Sequence, residues 1–268
     1  MKDLNVVVTG GAGFIGSHLV DKLLVDNDVT VIDNLSTGSE DVIRHHFGKD
    51  NFRFVEGDVQ NQNLLRDVLD GRDVIYHLAA ISDVESSVKE PDKAYTTNFG
   101  GTVNLLRAFR GELFVFASSV GVYEAGLNPY LQSKRLAEWA IKKSGNTHVI
   151  FRLANVYGPG SRSVVQKFIE GETISIFGDG NQTRDFVFID DVVDHLMKAE
   201  ELRHNSTYHV GSGVKTTINR LAYLVREIVG AKTVTYLPLR QFEITHPTVK
   251  VDLTCRTNLE EGIRKCLS

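Results

Sequence analysis

Along the first half of the chain, short apolar runs rich in β-branched residues alternate with stretches whose apolar positions recur at three- and four-residue steps. The runs at residues 4–9, 29–33, 52–56, 74–78, 113–118 and 148–152 are too uniformly apolar for strands with one wet face. They predict strands covered on both sides. The stretches at residues 14–25, 62–69, 92–110 and 128–143 predict helices, with Pro91 and Asn128-Pro129 as plausible starts. Strand and helix in alternation predict βα units and therefore a parallel sheet. After Arg152 the rhythm breaks, with glycine- and charge-rich loops at residues 157–162 and 178–184 and shorter elements beyond. The expected organisation is a first domain over residues 1–152, to which residues 185–210 return, and a smaller lobe over residues 153–268.

Immediately after the first strand stands Thr9-Gly10-Gly11-Ala12-Gly13-Phe14-Ile15-Gly16, opening a helix. Gly10, Gly13 and Gly16 let the backbone approach a pyrophosphate, and the N–H groups and dipole of the helix start, at Phe14 and Ile15, favour the anion. Asp33 ends the second strand, where a carboxylate can accept hydrogen bonds from the adenosine ribose hydroxyls. Its bland alternative is a strand-end turn residue. No Arg or Lys lies in residues 34–40 to meet a 2′-phosphate, and Asp33 would repel one, so NAD is expected over NADP. Asp58 follows the third strand and could accept a bond from the adenine amino group, or simply serve the turn. The fold class expected is therefore α/β, a Rossmann-type doubly wound parallel sheet with a smaller C-terminal α/β substrate lobe.

Bulk properties narrow the partners. The 268 residues are 42% hydrophobic and 24% charged, ordinary for a globular protein, and the net charge of −4 provides no overall basic field for nucleic acid or anionic lipid. No stretch reaches the ~20 apolar residues that a membrane helix needs. The first residues lack a signal-peptide apolar core, which makes the cytoplasm the expected location. Only Cys255 and Cys266 are present, without a second pair or a His cluster near them, so neither a disulfide nor a metal site is expected.

Tyr130-Leu131-Gln132-Ser133-Lys134 places a phenol and an ammonium at i and i+4, on one face of the expected helix. It follows Ser118-Ser119 at the end of a strand. A phenol with a reference pKa near ~10 becomes a useful base only when positive charge stabilises its phenolate. With the glycine turn upstream, these residues resemble the extended short-chain dehydrogenase/reductases, most closely the nucleotide-sugar epimerases of the UDP-glucose 4-epimerase type. Further matching pieces are Asp33-Asn34-Leu35-Ser36-Thr37-Gly38, Gly57-Asp58-Val59, His77-Leu78-Ala79-Ala80, Asn98 ahead of its glycines, and Ser118-Ser119-Val120-Gly121-Val122-Tyr123. Beyond them, Arg152-Leu153-Ala154-Asn155-Val156-Tyr157-Gly158-Pro159, Phe177-Gly178-Asp179-Gly180 and Arg184-Asp185-Phe186-Val187 match the second lobe.

The resemblance implies the following roles. Ser119, Tyr130 and Lys134 are the catalytic residues. NAD contacts come from Gly10, Gly13, Phe14, Ile15, Gly16, Asp33, Asn34, Ser36, Thr37, Gly38, Asp58, Val59, Leu78, Ala79, Ala80, Asn98, Tyr130, Lys134 and Leu153. The nucleotide sugar meets Ser82, Ser119, Asn155, Phe177, Arg184, Arg240 and Glu243, and a homodimer pairs the helices at residues 92–110 and 128–143. For Arg184 alone, a surface ion pair with Asp185 or Asp179 is the simpler reading, and the surrounding motif outweighs it.

Departures from the family pattern narrow the reaction. The dehydratases of this group carry Asp-Glu after the hydroxyl residue and the decarboxylases a Glu, whereas here Val120 and Gly121 stand there and neither can move a proton. The connection over residues 120–129 is shorter than the family's usual proline-containing loop. What the resemblance then implies is interconversion of UDP-glucose and UDP-galactose at C4, through transient oxidation with bound NAD. Another NAD-linked nucleotide-sugar enzyme (reductase, dehydratase or decarboxylase) and a non-catalytic NAD-binding module remain the alternatives.

Overall fold

The computed structural model describes residues 2–124, 128–240 and 250–267. Its central sheet has eight mostly parallel strands flanked by helices, a Rossmann-like α/β arrangement. The chain forms two compact units, one of Met1–Arg152 with Val193–Thr207, the other of Leu153–Val192 with Tyr208–Ser268.

In the first unit the elements run β1 (Asn5–Thr9), α1 (Phe14–Leu23), β2 (Asp28–Asp33), β3 (Phe52–Glu56), α2 (Gln62–Leu69), β4 (Val74–His77), α3 (Val84–Lys89), α4 (Pro91–Tyr95), α5 (Gly101–Ala108), β5 (Leu113–Ser119), α6 (Pro129–Lys143) and β6 (His148–Leu153). The strands lie side by side as β6-β5-β4-β1-β2-β3. β1 runs parallel to β2 and β4, β2 to β3, and β4 to β5. Because the strands are apolar on both faces, helices can bury both. On one face Val7, Ile32, Ile75, Phe114, Phe116 and Ile150 share a core with Leu65, Leu69, Leu105, Phe109, Ala137 and Ile141 of the helical layer. Each large side chain withdrawn from water there contributes about 1.5–3 kcal/mol.

Local chemistry sets the helix starts. Asn61, Asp83 and Asn128 accept from the backbone N–H of Leu64, Ser86 and Leu131, capping α2, α3 and α6, while Pro91 and Pro129 occupy first-turn positions that need no donor. The helix expected over residues 92–110 is helical throughout residues 91–108, with a π-helical turn, Thr96–Gly100, between α4 and α5. Asn98 lies in this turn, and its carboxamide accepts from Ile81 N at 2.8 Å and donates to Ile81 O at 3.0 Å. The short helix α3 is absent from the periodicity because its six residues, Val-Glu-Ser-Ser-Val-Lys, form too brief and polar a run to show a stripe.

The second unit contains β7 (Asn155–Tyr157), α7 (Val164–Glu170), β8 (Thr173–Phe177), β9 (Thr183–Arg184), β10 (Phe186–Phe188), the start of α8 (Ile189–Met197), most of β11 (Ser206–Gly211), β12 (Thr216–Thr217), α9 (Ile218–Val229), β13 (Thr233–Leu237), β14 (Leu253–Thr254) and α10 (Leu259–Lys265). β7 pairs parallel with β10, β8 with β13 and β11 with β14, while β9 and β12 are antiparallel. Tyr157 is fully buried, with the rings of Phe186 and Phe188 edge-on to it. No helix among the described residues is long and apolar enough to cross a membrane.

Candidate active site

Four adjacent parallel strands of the first unit end on residues with chemistry: Ser119 on β5, His77 on β4, Thr9 on β1 and Asp33 on β2. The carboxyl ends of such strands are where ligands bind in open α/β sheets.

The glycine turn fits a pyrophosphate. Gly10 has φ +74°, and a Cβ there would lie 2.6 Å from Ala79 N; at Gly16 it would lie 2.1 Å from Gly10 O. Only glycine lets the turn close on itself and on the segment Leu78-Ala79-Ala80. Helix α1 starts from Gly13, which makes no side-chain cap, so its first N–H groups, at Phe14 and Ile15, are left to an anion. Asp33, buried at the end of β2, accepts from Ala12 N at 3.0 Å through one oxygen and from Leu35 N at 2.9 Å through the other. Burial raises its carboxyl above the ordinary value, against the pull of those two N–H groups. Asp33 thus shapes the turn itself, while each oxygen keeps a lone pair for a hydroxyl.

The neighbouring segment packs on this turn, with Ser39 N donating to Ala12 O at 3.1 Å and Gly38 pressed so close that a Cβ would sit 2.5 Å from the same oxygen. Ser36 N donates to the Asn34 side chain at 3.1 Å, and Asn34 donates to Asp58 at 2.7 Å. Asp58 also accepts from Gln60 N at 2.8 Å. Val59 turns its side chain into the core. Thr37 lies in the same segment, between Ser36 and Gly38.

Tyr130 and Lys134 share one face of α6. Tyr130 is hydrogen-bonded to Ser119; burial pushes its phenol up to about 12, and the Ser119 bond opposes that rise. The Ser119 hydroxyl accepts from Gly121 N at 3.2 Å. Lys134 is 4% exposed; its Nζ donates to Ala117 O at 2.8 Å and stands 4.5 Å from the centre of the Phe116 ring. Burial pushes this ammonium down to about 7, with Glu138 pulling the other way. Asn98 is tied to the same helix, donating to Ser133 Oγ at 2.9 Å, so its carboxamide positions the Ile81 segment and α6 together. Ser82, the next residue, is exposed.

Two sets of residues escaped the sequence reading. Glu138, one turn beyond Lys134, accepts from Ser118 Oγ at 2.6 Å and from Arg152 Nε at 2.9 Å and Nη2 at 2.5 Å. Burial alone would raise its carboxyl, but the Arg152 and Ser118 hydrogen bonds, with the charges of Arg152 and Lys142, hold it below the ordinary range. The available signal was a charged residue, Arg152, inside an otherwise apolar strand. The second set is a one-way hydrogen-bond chain. Thr102 Oγ1 donates to Asn98 O at 2.6 Å, so it accepts from His77 Nε2 at 2.9 Å, and His77 Nδ1 accepts from Thr9 Oγ1 at 2.7 Å. Burial, with the Lys134 charge, keeps His77 neutral.

In the second unit, Asn155 donates to Asp185 O through its backbone at 2.9 Å and its side chain at 3.3 Å, beside Arg184 of β9. Arg184 donates to Thr183 O at 2.8 Å. The Asp185 carboxylate, offered as an ion-pair partner for Arg184, accepts from Ser212 N and Oγ and from Gly213 N. The Arg240 guanidinium lies 3.7 Å from the centre of the Phe177 ring. Leu153, at the end of β6, is buried. Glu243 lies outside the described residues.

Comparisons with known proteins place the chain in a family. Residues 6–211 match the NAD dependent epimerase/dehydratase family. A UDP-glucuronic acid decarboxylase of Arabidopsis thaliana is 35% identical over 261 residues, covering 85% of this chain; the chain spans 58% of that relative's length. A putative UDP-glucose 4-epimerase of Methanocaldococcus jannaschii is 36% identical, with 84% of this chain and 82% of the relative covered. Among solved structures, a UDP-N-acetylglucosamine 4-epimerase from Methanobrevibacter ruminantium, in complex with UDP-N-acetylmuramic acid, superposes with TM-score 0.89 at 31% identity, covering 100% of this chain and 99% of that one. The chain belongs to the NAD-dependent epimerase/dehydratase family.

Proposed function

We propose that the chain is a nucleotide-sugar 4-epimerase, with UDP-glucose and UDP-galactose as the first substrates to test. The observation that carries the reading is the neighbourhood of Ser119. Its hydroxyl is hydrogen-bonded to Tyr130, yet the next two positions, where a proton donor for sugar carbons would stand, are Val120 and Gly121. Chemistry is then limited to one carbinol centre.

Gly10, Gly13, Phe14, Ile15 and Gly16 hold the pyrophosphate of NAD, with Asp33 at the adenosine ribose and Tyr130 and Lys134 at the reactive end. When bound, NAD takes up and returns the hydride and adds positive charge near the phenol. Tyr130 removes the proton of the sugar 4-hydroxyl and later gives it back, and Ser119 donates to the same oxygen. In the ligand-free protein the phenol is held protonated, so its activity as a base depends on added positive charge, from bound NAD and from Lys134 on the same face of α6. Asn155 and Arg184 take the diphosphate, and Phe177 and Arg240 the nucleoside end; a guanidinium suits phosphate because its fork donates in pairs. Ser82 serves the sugar. A homodimer through α4–α5 and α6 belongs to the same reading, supported by Leu136 and Trp139, 41% and 60% exposed at i and i+3 on α6.

The relatives that are decarboxylases define the competing reading. Incubation of the purified protein with UDP-galactose and no added reductant separates the two. Appearance of UDP-glucose with steady NADH absorbance supports the epimerase, whereas inertness toward UDP-galactose with release of carbon dioxide from UDP-glucuronate overturns it.

A further inference from the structure

Asp21 lies on α1, and His45 and His46 lie on a 3-10 turn, Arg44–His46, in the connection between β2 and β3. His46 Nε2 stands 2.6 Å and His45 Nε2 3.0 Å from the same atom, Asp21 Oδ1. The three ligating atoms all fall within 4.8 Å of one another, a grouping that the separation of these residues in sequence conceals. The His46 ring is buried, 5.4 Å from the Phe52 ring, which fixes its direction. His45 and Asp21 have side chains 55% and 48% exposed, so the cluster opens to solvent on their side. Two imidazole nitrogens and a carboxylate oxygen form a donor set suited to zinc and its first-row neighbours.

We propose that Asp21, His45 and His46 form a binding site for a divalent transition-metal ion, Zn2+ foremost, with both Nε2 atoms and the Asp21 carboxylate as ligands and water completing the shell. Ligands at tetrahedral zinc stand about 3.3 Å apart. The two oxygen–nitrogen pairs therefore need to open by less than an ångström. Neutral imidazole is the ligating form.

Lys49 opposes the metal. Its Nζ donates to His46 Nδ1 at 2.8 Å, which leaves the ring proton on Nε2, facing Asp21. On metal binding that proton passes through solvent to Nδ1, the exposed Lys49 ammonium leaves the ring, and no net proton is released. The ion would join α1, the helix that begins at the glycine turn, to the β2–β3 connection.

The test uses the NAD-loaded protein freed of metal by a chelator and titrated with ZnCl2 against a chromogenic competitor. The wild type should bind one Zn2+ per chain. Asp21→Asn and His45→Ala, both at exposed side chains, should weaken binding about tenfold or more. Lys49→Ala should tighten it, because a cation that repels the ion is gone. Thermal melts without metal establish that each variant is folded. Absence of binding at micromolar Zn2+, binding unchanged in Asp21→Asn and His45→Ala, or weaker binding in Lys49→Ala overturns the site.

Discussion

Lys134 and Glu138 stand one turn apart on the same face of α6, 4% and 3% exposed, and their surroundings differ. Glu138 is surrounded by donors: Ser118 and both arms of Arg152 reach it, and its carboxyl stays ionised below the usual range. Lys134 meets a backbone carbonyl and the face of Phe116, and burial pushes its ammonium down to about 7. A buried charge with its hydrogen bonds satisfied holds structure together. A buried charge poised between its two states near neutral pH is a candidate for chemistry. The difference suits Glu138 to positioning α6 against β5 and β6, and is consistent with the role proposed for Lys134, with Tyr130, in the reaction.

Substitutions can break this division. The largest effect is expected from Tyr130→Phe, which should lower epimerase turnover by about 10²–10⁴, the usual contribution of a positioned acid–base group, with little change in stability. Next comes Glu138→Ala, which removes the carboxylate partner of the Arg152 guanidinium. It should cost about 3–5 kcal/mol in urea unfolding, and activity should recover at low temperature where the variant is folded.

Lys134→Met should act in the reverse sense, lowering turnover by less than Tyr130→Phe does while stabilising the NAD-free protein. The sign follows from linkage. The folded value near 7 lies below the ordinary 10.5 of the unfolded chain, so the penalty for burying the charge is full below pH 7 and fades as pH rises toward 10.5. The stability gained by Lys134→Met should therefore be greatest near pH 6.5 and small near pH 10, measured by urea titration at both. An equal gain at the two pH values would show that Lys134 carries no buried-charge penalty.

Much of this architecture is legible in the sequence. The apolar runs located β1 to β6 within a residue or so, because strands covered on both faces need uniform hydrophobicity. The start of α6 followed from Asn128-Pro129, and the glycine turn from spacing that only a tight strand-to-helix turn demands. The anchoring of the Thr96–Gly100 turn was hidden because its Asn98 bonds to Ile81, a residue 17 positions away. Glu138 with Arg152 and His77 with Thr9 were hidden for the same reason: each pair is formed by strands and helices that the sheet, not the sequence, makes neighbours. Asp33 shows a different limit, since the turn role and the ribose role predicted as alternatives are compatible in one carboxylate.

The central claim is that this site moves a proton on oxygen and none on a sugar carbon. Conversion of UDP-galactose in D2O, with the product examined by proton NMR and mass spectrometry, tests it most directly. The account predicts UDP-glucose with no deuterium on any ring carbon. Deuterium at C5, the mark of carbon acid chemistry, would contradict it.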